Sequence, residues 1–149
     1  MNPRGKILLV EDNTDDVEMI LAALAKNNLA NEVVVARHGG EALDYLHRRG
    51  EFHSRPPDYP VVVLLDLKMP KVGGLEVLRQ MKSDDELKII PVVIFTSSRE
   101  EADLARSYEL GANSYVVKPA DFQQFADAIR KLGMFWAVVN EPPQGRAKR

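Results

Sequence analysis

Short apolar runs alternate with amphipathic stretches along most of this chain. The run Ile7–Val10 is purely aliphatic and is followed directly by two acids, which is typical of a buried parallel strand that ends at a polar rim. The run Val61–Leu65 is rich in β-branched residues and needs burial on both faces. Together the pattern predicts strands over Ile7–Val10, Glu32–Ala36, Val61–Leu65, Pro91–Phe95 and Ser114–Val117.

The stretches between these runs have apolar residues at helical spacing. Gly111 suits a left-handed cap at the end of the fourth stretch, and Asp121 with Gln124 can form a capping box before the fifth. The segment Gly50–Pro60 contains three prolines and predicts a long loop. The predicted helices are Asn13–Asn28, Gly40–Arg49, Gly74–Lys82, Arg99–Leu110 and a last helix with Phe125, Ile129, Leu132 and Trp136.

Five βα units in succession predict an α/β fold, in which helices cover both faces of a mainly parallel sheet. At 149 residues the chain has room for one compact domain but not for two. Its composition, 45% hydrophobic and 28% charged, is that of an ordinary soluble globular protein. We therefore expect one domain over residues 1–139 and a disordered tail over residues 140–149, which contain proline, glycine and basic groups.

Charge and cysteine content exclude several classes of site. With 20 basic and 22 acidic side chains, the chain has no strong attraction to nucleic acid or to a membrane surface. The absence of cysteine excludes disulfides, thiolate metal sites and a cysteine nucleophile, and it agrees with a cytoplasmic protein. No secretory signal is visible, and no apolar stretch approaches the roughly 20 residues needed to span a bilayer. The histidines lack metal-ligand spacing and are interpreted as structural or solvated.

The candidate chemistry lies where the predicted strands end, because ligands of open parallel sheets bind at the carboxyl ends of the strands. Glu11 and Asp12 follow the first strand, Asp66 the third, Thr96 the fourth and Lys118 the fifth. If the first and third strands are neighbours, three carboxylates converge and repel one another, so the cluster calls for a cation. Oxygen ligands without histidine or cysteine favour Mg²⁺.

A cation, an ammonium group and a hydroxyl around one carboxylate suit a phosphoryl group, which Asp66 would attack in line. The simpler explanation is that each residue has a local role. Asp12 and Asn13 could serve as helix caps and nothing more, and Lys118 could be a surface lysine. That explanation is weak for all five residues together. Gly73 and Gly74 are interpreted as turn and helix-entry residues, since no phosphate-binding glycine motif occurs.

Four segments resemble the receiver domains of two-component response regulators: "ILLVEDN", "LLDLKMPKVGGLEVL", "VVIFTSS" and "GANSYVVKPAD". The resemblance extends from Lys6 to about Leu132 and implies the flavodoxin-like, doubly wound (βα)5 fold. It also implies that Asp66 is the phosphoacceptor. By the same resemblance, phosphohistidine of a sensor histidine kinase would be the donor, and slow self-catalysed hydrolysis would be the only enzymatic activity.

The resemblance also implies roles for the other site residues. Glu11 and Asp12 would bind Mg²⁺, with Asp66 and the main-chain carbonyl of Lys68 as further ligands. Lys118 would pair with the phosphoryl oxygens, and the bond from Lys118 to Pro119 would be cis. Thr96 and Tyr115 would form a switch pair that alters the surface of helix four, strand five and helix five.

A narrower resemblance is to the small stand-alone regulators that work with phytochromes. It depends on "RHGGEALDYL", on the lengthened loop Gly50–Pro60 and on "LGMFW" in the last helix. About 30 residues follow Lys118, enough for a helix and a tail, so direct binding to DNA is not expected. The apolar spacing from Phe125 to Val139 runs past the family core and predicts a homodimer, although Gly133 counts against a rigid helix there.

Two other functions remain open at this point. A Mg²⁺-dependent aspartyl-phosphate phosphohydrolase would need a second aspartate two positions after Asp66, where this chain has Lys68, and it would need a cap insertion. A receiver-like module that binds a partner without phosphorylation usually lacks part of the acidic set, and none is missing here. The small Ser97 and the nearby Lys68 predict an intermediate lifetime for a phosphorylated Asp66. The sequence identifies neither the kinase and its signal nor the downstream target.

Overall fold

A computed structural model describes residues 5–26, 32–69 and 71–118, together with Gln123 and Asp127. Its strands are β1 (Lys6–Val10), β2 (Glu32–Ala36), β3 (Val62–Leu65), β4 (Val92–Thr96) and β5 (Ser114–Val117). They form one parallel sheet in the order β2-β1-β3-β4-β5. The predicted fold class is therefore confirmed, and β1 and β3 are neighbours.

The helices connect the strands as crossovers, as a parallel sheet requires. A single 3₁₀ turn, Gly50–Phe52, lies within the predicted long loop. The predicted fifth helix falls outside the described residues apart from Gln123 and Asp127, and so do Pro119 and the predicted tail. The described helices are α1 (Thr14–Lys26), α2 (Gly39–His47), α3 (Gly74–Ser83) and α4 (Glu101–Glu109).

Two hydrophobic cores lie on opposite faces of the sheet because successive strand residues point to opposite sides. This explains why the central strands β1, β3 and β4 are apolar throughout, apart from Lys6 at the start of β1 and Thr96 at the end of β4, and lack the alternation of a half-exposed sheet. One core joins the sheet to α1 and includes Ile7, Leu9, Val62, Leu64, Val17, Ile20 and Leu24. The other joins it to α2 and α3 and includes Leu8, Val10, Val63, Leu65, Ala42, Leu46, Val77, Leu78 and Met81.

Three described helices start at other residues than predicted: α1 starts one residue late, at Thr14, because Asn13 is its cap, and the starts of α2 and α4 also differ for local reasons. Helix α2 begins at Gly39, one residue early, because the Nδ1 atom of His38 accepts the backbone N–H of Glu41 at 3.0 Å and caps the helix. Helix α4 begins at Glu101 and not at Arg99, because Ser98 forms a turn in which its backbone N–H bonds the Thr96 hydroxyl at 3.3 Å. None of the described helices is long and apolar enough to cross a membrane.

Candidate functional site

The site is built on the sheet's own hydrogen-bond ladder, which continues one residue past the strands. The backbone N–H of Glu11 bonds the Ala36 carbonyl at 2.9 Å, and that of Asp66 bonds the Val10 carbonyl at 3.0 Å. Across the sheet, the N–H of Lys118 bonds the Thr96 carbonyl at 2.8 Å. The side chains just past β1, β3 and β5 therefore leave from fixed backbone positions at one edge.

Glu11, Asp12 and Asp66 converge at this edge, as the sequence predicts for neighbouring first and third strands. Carboxylate oxygens of the three lie within 4.8 Å of one another, with Glu11 and Asp66 buried and Asp12 exposed. Asp12 is not the helix cap: the Asn13 side chain caps α1 by accepting the N–H of Asp16 at 2.9 Å. The acidic set therefore forms a real cluster, open to solvent on the Asp12 side.

Burial shifts the ionisation of both inner acids. It raises the pKa of Glu11 to about 7, helped by the charge of Asp66 and opposed by the hydrogen bond from Lys118. Burial also raises the pKa of Asp66, against the charge of Lys118 and hydrogen bonds from the Thr96 hydroxyl and from the backbone N–H groups of Leu67 and Lys68. Each acid would ionise more readily if a cation were bound beside it.

Lys118 contributes a buried ammonium group whose side chain is only 9% exposed. Its Nζ lies 2.5 Å from Glu11 Oε1, 2.9 Å from Asp16 Oδ2 and 3.8 Å from Asp66 Oδ1. Burial alone would lower the pKa of Lys118, but the hydrogen bonds to Glu11 and Asp16 outweigh it and raise that pKa. Lys118 is therefore a protonated side chain that donates hydrogen bonds to both Glu11 and Asp16.

The cluster meets the requirements of a hard divalent cation. Asp66 Oδ1 is buried and has no hydrogen-bond partner within the part of the chain that the structure describes. Among the described residues, the carboxylates of Glu11, Asp12, Asp16 and Asp66 lie at this edge with the ammonium of Lys118, which leaves three formal negative charges. Oxygen donors with an excess of negative charge are what Mg²⁺ or Mn²⁺ requires.

The residues of the predicted switch pair, Thr96 and Tyr115, both form a hydrogen bond with Ser98. Thr96 is fully buried at the end of β4, and its Oγ1 accepts the N–H of Ser98 at 3.3 Å. The Tyr115 hydroxyl donates to the Ser98 carbonyl at 3.1 Å. Both side chains are thus fixed to the same turn, and Ser98 is a site residue that the sequence did not single out.

Lys68 is an exposed side chain at the rim of the site. Its Nζ lies 3.8 Å from Glu100 Oε1 and 3.7 Å from Asp103 Oδ2, while Asp103 also accepts the Ser98 hydroxyl at 2.6 Å. The loop after β3 is thereby tied to the start of α4. The roles predicted for Asp66, Lys118, Thr96, Tyr115 and the Lys68 carbonyl remain predictions, and the predicted cis bond to Pro119 lies outside the described residues.

Asp16 is the other residue that the sequence did not single out. It occupies the first turn of α1, where an acid is normally explained by the helix dipole. Its separation from Lys118 along the chain is 102 residues, so no local spacing relates the two. The contact between Asp16 and Lys118 could have been predicted only from a three-dimensional arrangement that places α1 beside the end of β5.

Residues 7–130 match the family described as the response regulator receiver domain, and this chain belongs to that family. Solved receiver domains share its fold, which is the flavodoxin-like arrangement of strands and helices.

Individual relatives narrow the comparison. The response regulator Rcp1 of Synechocystis sp. is 36% identical over 135 residues, which cover 91% of this chain and 90% of that protein. A Mn²⁺-bound structure of Rcp1 has a TM-score of 0.85 at 34% identity and covers 93% of this chain and 99% of the other. The phosphorylated cyanobacterial phytochrome response regulator RcpA has a TM-score of 0.86 at 41% identity, with coverage of 94% and 99%. The bacteriophytochrome response regulator AtBRR is 64% identical with a TM-score of 0.75, and the coverage is 92% and 98%.

Proposed function

We propose that this protein is a phosphorylation switch whose phosphoacceptor is Asp66. A carboxylate oxygen of Asp66 attacks the phosphorus of a phosphohistidine on a sensor histidine kinase. The phosphorus–nitrogen bond breaks, the imidazole leaves and takes up a proton, and an acyl phosphate remains on Asp66. Water later attacks the phosphorus, which releases inorganic phosphate and restores the carboxylate. The protein acts on no other substrate.

The observation that carries this proposal is the state of the Asp66 carboxylate. It is buried within the acidic cluster, yet its Oδ1 is free of hydrogen bonds from the described residues and lies 3.8 Å from the Lys118 ammonium. A structural aspartate at this depth would have its oxygens paired, because an unpaired buried acceptor costs about 1–3 kcal/mol. An oxygen kept free beside a positive charge is suited to attack an electrophile.

Mg²⁺ is the proposed cation, held by the carboxylates of Glu11, Asp12 and Asp66 and by the Lys68 main-chain carbonyl. When bound, it would neutralise charge on the phosphoryl oxygens. The Mn²⁺-bound form of Rcp1 supports a divalent cation in a relative. Lys118 would supply a second positive charge at the same phosphoryl group.

Thr96 and Tyr115 are the proposed route from Asp66 to the surface. The Thr96 hydroxyl turns toward the phosphoryl group, Tyr115 turns inward, and the surface formed by α4, β5 and the predicted fifth helix changes. This surface would bind partner proteins; nucleic acid and membranes are not proposed partners. We also propose a cytoplasmic location, one domain over residues 1–139 with a tail over 140–149, and a homodimer formed through the predicted last helix.

Acetyl phosphate labelling with Mg²⁺ tests the site directly. Wild type is expected to form an acid-stable, hydroxylamine-sensitive phosphoprotein, and Asp66→Asn is expected to form none. Asp58→Asn is a matched control, since Asp58 Oδ1 is also buried without a hydrogen-bond partner among the described residues but precedes β3, at the opposite end of the strand. Equal labelling of wild type and Asp66→Asn would refute the assignment.

The proposed kinase is of the phytochrome type, because RcpA and AtBRR are described as regulators of that kind. Radiolabelled phytochrome histidine kinases should transfer phosphate to this protein within seconds to minutes, and kinases with unrelated sensor domains should transfer it far more slowly. Equal rates from both groups would remove the phytochrome assignment and leave the phosphoacceptor unaffected.

A further inference from the structure

Lys118 is shared between an acid inside the cluster and an acid outside it. Glu11 belongs to the proposed cation site, whereas Asp16 lies on α1 and is absent from the group of carboxylates that could share an ion. The ammonium bonds Glu11 at 2.5 Å and Asp16 at 2.9 Å. Asp66 is the third acid within reach, at 3.8 Å, and receives no hydrogen bond from it.

This arrangement creates a competition for Glu11. A divalent cation that takes the Glu11 carboxylate removes the shortest hydrogen bond of Lys118, whose side chain is 9% exposed. A buried ammonium that loses its partner carries a large desolvation penalty, so the cation would have to overcome this penalty to bind. Alternatively, the ammonium could move to Asp66 and pair with the oxygen that has to attack phosphorus.

Asp16 removes both difficulties because it already accepts a hydrogen bond from Lys118. Its side chain is 28% exposed and therefore partly hydrated, so its charge has a smaller desolvation cost than that of a fully buried acid. When Glu11 turns to the cation, Lys118 keeps a charged partner on the α1 side. The ammonium of Lys118 then keeps a hydrogen-bond partner and does not move to pair with Asp66.

We propose that Asp16 is a positioning residue that holds the Lys118 ammonium on the α1 side of the site and so leaves Glu11 and Asp66 available for a divalent cation. The proposal rests on the proposed function of the cluster as a cation and phosphoryl site. It assigns Asp16 no contact with the cation or with the phosphoryl group. Asp16 acts only through its hydrogen bond with Lys118.

Asp15 gives a matched control, because it is the adjacent acid in the same first turn of α1. Its side chain is exposed, and it shares the favourable interaction with the helix dipole. Replacement of either aspartate by asparagine removes one negative charge at nearly constant volume. Only the replacement at position 16 removes a partner of Lys118.

The experiment measures the dissociation constant of Mg²⁺ by isothermal titration calorimetry in wild type, Asp16→Asn and Asp15→Asn. Loss of a charge-assisted hydrogen bond predicts that Asp16→Asn weakens Mg²⁺ binding by about tenfold. Loss of an exposed, screened charge predicts a change of about twofold or less for Asp15→Asn. The pair Asp16→Ala and Asp15→Ala repeats the comparison without new amide hydrogen bonds, and circular dichroism checks the fold of each variant.

A double-mutant cycle with Lys118→Met separates positioning from plain charge. The extra effect of Asp16→Asn should disappear in the Lys118→Met background, where no ammonium has to be held. Equal affinities of Asp16→Asn and Asp15→Asn would overturn this proposal and leave the proposed function intact. An undiminished effect in the Lys118→Met background would overturn it too, and a wild type that binds no Mg²⁺ would overturn the cation site as well.

Discussion

Gly74 is the position where helix α3 comes closest to the backbone of Asp66. A Cβ atom at Gly74 would lie 2.2 Å from the Asp66 carbonyl oxygen and 2.7 Å from the Leu67 Cα. Both distances are far inside van der Waals contact, so α3 and the Asp66–Leu67 backbone must separate by about 1 Å in Gly74→Ala. The same movement strains the hydrogen bond from the Gly74 N–H to the Leu67 carbonyl, which is 3.1 Å long.

The cost follows from these contacts. Alanine gains about 1 kcal/mol over glycine within a helix. Overpacking costs about 1–3 kcal/mol, and the weakened hydrogen bond costs about 1 kcal/mol more. We expect Gly74→Ala to lower the free energy of unfolding by about 1–3 kcal/mol. Because the displaced atoms belong to Asp66, we also expect its rate of labelling by acetyl phosphate to fall by about 100-fold.

Gly73→Ala is the control, one residue away. Its Cβ would lie 3.4 Å from the Leu67 carbonyl oxygen, which is ordinary contact, and its φ of −77° suits any residue. The expected loss of stability is below about 1 kcal/mol, since alanine is only a poorer helix cap than glycine. Urea denaturation and initial labelling rates measure both effects. Equal stability and equal rates of Gly74→Ala and Gly73→Ala would refute the reasoning.

Three further predictions concern burial elsewhere in the molecule. Ser107→Ala should raise the free energy of unfolding by about 1 kcal/mol, because the Ser107 hydroxyl is fully buried without a hydrogen-bond partner in the described ranges; a loss of stability in urea would contradict this. Arg55→Met should cost about 2–4 kcal/mol, because the guanidinium, with the Arg55 side chain 8% exposed, bonds the carbonyls of Tyr45 at 2.7 Å and Asp58 at 2.9 Å. The exposed Arg49→Met should cost less than about 1 kcal/mol, and similar losses for both arginines would refute that distinction. In EDTA, the pKa of Glu11 in the folded state is raised from the ordinary value of 4.5 to about 7. Between these two values the folded state binds more protons than the unfolded chain, so the stabilisation from protonated Glu11 is lost as the pH rises from about 5 to 8. Glu11→Gln should remove that part of the pH dependence, and identical urea profiles for the two proteins would contradict it.

The fold could be predicted because its two cores impose a strict pattern on the chain. The strands β2 and β5 were predicted with the bounds that the structure has, and β1 and β3 differ by one residue. The central strands are continuous apolar runs because both faces are covered, apart from Lys6 and Thr96 at strand ends, and this pattern is visible in the sequence. The start of α4 was predicted wrongly because the turn at Ser98 depends on the hydroxyls of Thr96 and Ser98, and apolar spacing does not report on these.

The convergence at the site was likewise predictable for residues that directly follow a strand. Parallel strands bring their carboxyl ends to one edge, so Glu11, Asp66 and Lys118 could be placed together from their positions in the chain. Asp16 could not, because it lies on a helix and its contact with Lys118 depends on how α1 packs against the sheet. The ion pairs of Lys68 depend in the same way on the packing of α4 beside the loop after β3.

Ser98 gives the proposed switch a short mechanical path. The Thr96 hydroxyl accepts the backbone N–H of Ser98 and lies close enough to Asp66 to lower its pKa, so in the proposed switch a turn of Thr96 toward a phosphoryl group on Asp66 would weaken its contact with Ser98. The Ser98 carbonyl anchors the Tyr115 hydroxyl, and its side chain bonds Asp103 at the start of α4. A shift of this one turn would therefore loosen the contacts of both Tyr115 and α4. Because all three contacts belong to a single residue, we expect the proposed phosphorylation of Asp66 to reach the surface of α4 and β5 through Ser98.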